Sequence, residues 1–124
     1  MPLPRIRRIR RTSEYSRVRA EGKSCTGRLL VLAYIPLPDE PHSRFGSTIT
    51  RKIGNAVTRN RLRRRLTAIA HSMLDEMASP YLVVVIARHG APGVEFEALR
   101  AEWIRLARKA GLLRRPAGTA DAVS

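Results

Sequence analysis

Cysteine is almost missing from this chain: Cys25 stands alone, which excludes an intrachain disulfide and any metal site assembled from cysteines. It reads as a bland, partly buried or surface thiol. His42, His71 and His89 are far apart and share no His-x-x-x-His spacing, so nothing points to a catalytic metal bound by the protein itself. There is no Gly-x-Ser-x-Gly elbow, no phosphate-binding loop and no convincing Ser/His/Asp set. Asp75 and Glu76 are adjacent within a long helical pattern, where paired carboxylates read as a solvated edge rather than a general acid and base. Together these absences leave no visible set of catalytic residues or metal ligands. No apolar stretch approaches the roughly 18 residues needed to span a bilayer. The N-terminus has charge without the apolar core of a signal peptide. The expectation is a cytoplasmic protein with no membrane partner.

What the chain does have is positive charge in one place. Its 124 residues and 44% hydrophobic content suit a single domain with a modest core. The formal net charge is +14, but residues 1–65 hold 17 Lys/Arg against 4 Asp/Glu, giving +13, while residues 66–124 hold 7 against 6, giving +1. The first half therefore builds the basic surface. Such asymmetry suits a polyanion, whose released counterions supply affinity that falls steeply with salt.

The pattern along the chain sets out an α+β domain. Residues 1–11, with Pro2, Pro4 and five arginines, read as a mobile basic arm. Thr12 or Ser13 can cap a short helix over residues 13–21, with Tyr15 and Val18 on one face and Gly22 at its stop. Residues 29–35 form a continuous apolar strand ended by Pro36 and Pro38, and residues 45–50 alternate as a strand with one accessible face. A basic helix over residues 57–77 is followed by a buried central strand over residues 81–88. The stripe Phe96, Leu99, Trp103, Leu106, Ala107 and Ala110 makes a last helix, ended by Gly111 and Pro116, with Trp103 in the core. The order helix, strand, strand, helix, strand, helix gives helices packed on a mixed sheet over residues 12–111, and residues 112–124 read as a disordered tail.

The run Arg51-Lys52-Ile53-Gly54-Asn55-Ala56-Val57-Thr58-Arg59-Asn60-Arg61-Leu62-Arg63-Arg64-Arg65-Leu66 concentrates cationic forks at a turn-to-helix junction. Gly54 and Asn55 supply the turn. Leu62, Leu66, Ile69, Ala70, Met73 and Met77 then recur at helical spacing and gather on one side. At about 100° per residue, Asn60, Arg63, Arg64, Thr67 and His71 fall on a neighbouring side, with Arg61 and Arg65 farther round. A planar guanidinium can meet two phosphate oxygens at once, and at a helix start it acts beside exposed backbone N–H groups. Arg59, Arg61, Arg63 and Arg64 are the principal candidates for RNA contact. Asn60 either contacts RNA or locks the turn through its own backbone, and Arg65 reads as solvated.

This string resembles the signature of the bacterial ribonuclease P protein subunit: a strand ending in a Ser-Lys-Lys-like tripeptide, here Thr50-Arg51-Lys52, then Gly-Asn-Ala-Val and Arg-Asn-Arg. The resemblance extends over about residues 8–110, taking in Tyr15, Val18, Gly22-Lys23, Arg44-Phe45-Gly46 and Val83-Val84-Val85-Ile86-Ala87-Arg88. It implies a left-handed βαβ crossover, against the usual right-handed rule. It also implies that Lys52, Arg59, Asn60, Arg61, Arg63 and Arg64 dock on a catalytic RNA subunit, and that Mg2+ is held mainly by that RNA and not by the protein alone. The partners it implies are this RNA and precursor transfer RNA, with no further protein required. The activity implied is endonucleolytic removal of the 5′ leader from precursor transfer RNA.

A second surface follows from the same resemblance, a cleft between the first helix and the sheet that holds the single-stranded leader by stacking and charge. Tyr15 matches its leading aromatic and Lys23 follows the closing glycine. Arg19 stands where relatives often carry an aromatic, and a guanidinium can also stack on a base. Tyr34 serves the cleft unless a one-residue shift of register puts Ala33 there. Phe45 is either core or platform. A ribosomal or ribosome-assembly RNA-binding protein is the alternative from another class, since fold does not fix function.

Overall fold

A computed structural model describes residues 7–9 and 11–113 of the chain. The elements are α1 (Thr12–Glu21), β1 (Lys23–Thr26), β2 (Leu30–Pro36), β3 (Arg44–Thr48), α2 (Ala56–Met73), β4 (Tyr81–Ala87) and α3 (Phe96–Lys109). The strands form one mixed sheet in the order β1-β2-β4-β3, as expected for an α+β domain. β1 and β2 make an antiparallel hairpin, and β2 pairs antiparallel with β4. β3 lies parallel to β4, so β3, α2 and β4 form the βαβ unit. Val83 and Val85 are fully buried in β4, which accounts for its unbroken β-branched run.

Side-chain alternation divides the core between the two faces of the sheet. Leu30, Leu32, Phe45, Val83 and Val85 pack with Leu62, Leu66 and Ile69 of α2 and with Leu99, Trp103 and Leu106 of α3. Ala33, Ile35, Leu82 and Val84 point the other way, toward Val18 of α1, with Ile9 and Tyr15 alongside. One face thus carries two helices and the other carries one short helix.

Most boundaries fall within a few residues of the sequence expectation, and the departures have physical causes. β1 was not foreseen: its four residues are mostly exposed and offer no apolar alternation to read. Arg11, not Thr12 or Ser13, occupies the N-cap of α1, and its backbone N–H donates to Glu14 Oε1 at 3.3 Å. Gly22 has an ordinary extended backbone. Its lack of a side chain is needed because a Cβ would lie 2.5 Å from the Val18 carbonyl and 2.7 Å from that of Tyr34. α2 ends at Met73 and tightens into a 3-10 turn over Leu74–Glu76, which still buries Met77.

Both expected termini need correction where they are described. Residues 7–9 are docked rather than mobile: Arg8 bridges Phe45 in parallel, and the Ile9 N–H donates to the Phe45 carbonyl at 2.9 Å. Leu112 is fully buried, its N–H donating to the Ala107 carbonyl at 2.9 Å around Gly111 at φ 78°. This left-handed glycine turns the chain back onto the core. The rest of the expected arm, residues 1–6 and 10, and of the tail, residues 114–124, lies outside the described residues.

Candidate nucleic-acid interface

The junction into α2 is built by short-range chemistry. Asn55 is the N-cap, its Oδ1 accepting from the Thr58 N–H at 2.9 Å. That satisfies one of the orphan donors of the first turn and leaves others facing outward with the positive end of the helix dipole. Lys52 is exposed in the 3-10 turn Arg51–Ile53 that precedes it. The exposed Val57 adds an apolar tip to this cationic turn.

The arginines that follow are not equivalent. Arg59 is half-buried and donates to the Gly54 carbonyl at 2.8 Å, bracing the turn. Arg63 is exposed, with its Nη1 donating to Asn60 Oδ1. Asn60 therefore orients a guanidinium, and the capping task belongs to Asn55. Arg65 was expected to be solvated; instead it is half-buried and donates to the Val94 carbonyl at 2.8 Å, tying α2 to the segment before α3. Lys52, Arg61 and Arg64 are exposed and have no hydrogen-bond or ion-pair partner among the described residues. Their donors are available to phosphate at no cost in broken protein bonds.

On the other face, α1 lays Tyr15 across β3. A Cβ at Gly46 would fall within the Tyr15 hydroxyl and ring, so glycine here permits a close approach of the aromatic to the strand. Burial raises the Tyr15 phenol above its ordinary value of 10.0; Glu14 adds to this, while Arg63 and a hydrogen bond with the Ser47 backbone oppose it. Two residues before Gly46, Arg44 is ion-paired with Glu14 at 2.6 Å and with Glu40 at 3.2 Å. Partial burial works against its charge, but the two carboxylates hold its pKa above the ordinary value. A surface cleft of about 730 Å³ opens at this ion pair, lined in part by Arg11, Arg17, Glu14, His42 and Arg44 but not by Tyr15, Arg19 or Lys23. Arg19 and Lys23 are exposed on α1 and β1.

Two residues expected on the α1 face of the sheet do not lie there. Tyr34 faces the α2 and α3 side of the sheet, where its ring meets Tyr81 edge-on at 5.9 Å; Ala33 takes the α1 side. The alternation of a strand makes this an all-or-none choice. Phe45 is buried and stacks on Trp103 with centroids 5.4 Å apart, so it is core. Trp103 is core as expected, although its indole N–H has no acceptor among the described residues.

Sequence reading also passed over Glu102. It is 7% exposed, and its Oε2 accepts the N–H groups of Leu29 at 2.6 Å and Leu30 at 2.7 Å. Gly27 makes room, since a Cβ there would lie 2.5 Å from that oxygen. Glu102 thus staples the β1–β2 turn to α3. Only its place beside Trp103 on an apolar helix signalled burial. No three His, Cys, Asp or Glu side chains among the described residues gather as metal ligands, and no described helix is long and apolar enough to cross a membrane.

Comparison with known proteins adds a family to this geometry. A family model described as Ribonuclease P matches residues 3–111. The chain is 36% identical over 114 residues to the ribonuclease P protein component of Syntrophomonas wolfei, covering 92% of this chain and 95% of that protein. It is 32% identical over 107 residues to a Bacillus cereus protein of the same name, covering 86% and 93% respectively. Among solved structures, the Staphylococcus aureus RNase P protein superposes with a TM-score of 0.80 at 22% identity, covering 87% of this chain and 98% of that one. The Thermotoga maritima RNase P protein gives a TM-score of 0.73 at 26% identity, covering 82% and 96%.

Proposed function

The chain belongs to the ribonuclease P family as a protein component, and on that premise we propose a division of labour in which α2 docks on a catalytic RNA while α1 and its sheet face grip the leader of precursor transfer RNA. Family membership favours this reading over a ribosomal one. Lys52, Arg61 and Arg64 meet RNA phosphates with their unpartnered donors, and Arg63, aimed by Asn60, and Arg59, bracing the turn, complete the contact. Tyr15 offers one side of its ring to a leader base, with Arg19 and Lys23 nearby along the same course; stacking suits a strand whose sequence varies between substrates. The observation that carries the reading is that Lys52, Arg61 and Arg64 stand exposed at the start of α2 with no partner among the described residues, so their donors are open to phosphate.

The described residues do not fit a protein-held divalent ion, because no acidic or imidazole cluster is assembled. We assign the hydrolysis to the RNA subunit with its own Mg2+, in the cytoplasm, and give the protein the work of binding and charge screening. Precursor transfer RNA incubated with RNA-free protein should stay intact at every Mg2+ concentration, and addition of the catalytic RNA should restore leader removal. Cleavage by the protein alone would overturn the assignment.

A further inference from the structure

The docked residues of the N-terminal arm have no part in the surfaces described so far. Arg8 and Ile9 pair with the outer edge of β3 at Phe45, extending the sheet by one short parallel bridge. Arg7 anchors that pairing from the side: its guanidinium is ion-paired with Asp75 after α2, and its Nε donates to the Ser43 carbonyl at 3.4 Å. The Arg7 side chain is 15% exposed, whereas Asp75 stands at 75%. Next along the chain, Ile9 packs into the apolar cluster on the α1 face. A Cβ at Gly46 would lie 2.9 Å from Ile9 Cδ1 and also within the Tyr15 ring, so the two side chains border the same patch of β3. The hydroxyl end of Tyr15 and the Cδ1 of Ile9 thus both lie over Gly46.

We propose that Arg7 and Ile9 are positioning residues for the leader contact: the Arg7–Asp75 ion pair and the Phe45 pairing seat Ile9, and Ile9 confines the phenol end of Tyr15 over Gly46 of β3. The inference rests on the reading of Tyr15 as a leader contact. A flanking wall fixes the ring before the substrate arrives, so less ordering is left to occur on binding. Asp75 makes the idea separable from plain electrostatics. Removing a negative charge from a protein that binds RNA should tighten binding through charge alone; loosening Ile9 should weaken it.

The test uses holoenzyme reconstituted with catalytic RNA and compares precursor carrying a long leader with precursor whose leader stops after one nucleotide. Asp75→Asn and Ile9→Ala should each weaken long-leader affinity by about three- to tenfold, the scale of coupling through a positioning contact. The short-leader precursor and docking on the catalytic RNA should be unaffected. Arg7→Asp combined with Asp75→Arg should recover the loss. Asp75 is at the surface, so its variant should fold even if Ile9→Ala melts early. Unchanged or tighter long-leader binding by Asp75→Asn, or equal losses on both precursors, would overturn the inference. Tyr15→Ala, run alongside, separates the two ideas. A leader-specific loss there without one in the arm variants removes only the arm; no leader-specific loss in Tyr15→Ala removes the cleft reading and the arm with it.

Discussion

On α2, Arg61 and Arg64 stand exposed without an acceptor among the described residues, whereas across the sheet Arg44 is held between Glu14 and Glu40. The same residue type does opposite work in the two places. An unpaired exposed guanidinium can meet phosphate without first breaking a protein contact, while a partly buried, doubly paired one would leave carboxylates stranded if it turned away. Arg59 and Arg63 lie between these extremes, each spending one donor on the turn or on Asn60. The α2 surface therefore offers open charge, and the α1 surface offers an aromatic side chain with an arginine nearby, Arg44, whose charge is already balanced. Counting arginines would rank both as phosphate sites; their partners separate them.

The comparison is sharpest at Arg61 and Arg64. Replacing both with Ala should reduce the magnitude of the logarithmic salt slope for docking on the catalytic RNA by about 2, one unit for each lost phosphate contact. Thermal stability should hold, because neither side chain contacts the core. An unchanged slope in a folded double variant would remove α2 from the interface. Arg44→Ala offers no such clean reading, since it unpairs Glu14 and Glu40.

A smaller effect, confined to the other surface, is expected for Tyr15→Ala. Loss of one stacking plane should cost about 1–3 kcal/mol, seen in titrations with long-leader precursor and absent with a one-nucleotide leader. The salt slope of RNA docking should stay as in the parent protein. An equal loss on both precursors would mean that Tyr15 acts through packing.

The smallest effect is on titration. Because burial raises the folded-state pKa of Tyr15 above 10.0, the protonated phenol favours the fold. This stabilisation is complete below the unfolded-state value and is lost as pH rises through the folded one. Difference absorbance between the parent and Tyr15→Phe should show this phenol ionising only above its ordinary value; ionisation below 10.0 would contradict its place over β3.

How much of this was legible in sequence depended on the range of the interactions involved. The α2 stripe from Leu62 to Met73 and the Asn55 turn were readable because helical spacing and capping act over a few residues. Tyr15 was placed by resemblance, and its burial against Gly46 follows from a Phe-Gly step inside a strand, a signal of close approach that spacing alone left unread. Tyr34 and Phe45 were misplaced or left open because a strand shows two faces, and only its neighbours decide which one is covered.

The sequence by itself determined the local terms: the helical and strand periodicities, the concentration of charge in residues 1–65 and the turn at Gly54 and Asn55. Tertiary structure alone decided which arginines have no partner among the described residues, that Arg65 is tied to Val94, that Arg44 is neutralised by Glu14 and Glu40, that Glu102 receives the amides of Leu29 and Leu30, and that residues 7–9 lie along β3. The physical reason is that a side chain's charge and periodicity are properties of the residue and its near neighbours along the chain. Its availability depends on which donors and acceptors are brought within about 3 Å, and for Leu30 and Glu102 those partners lie 72 residues apart.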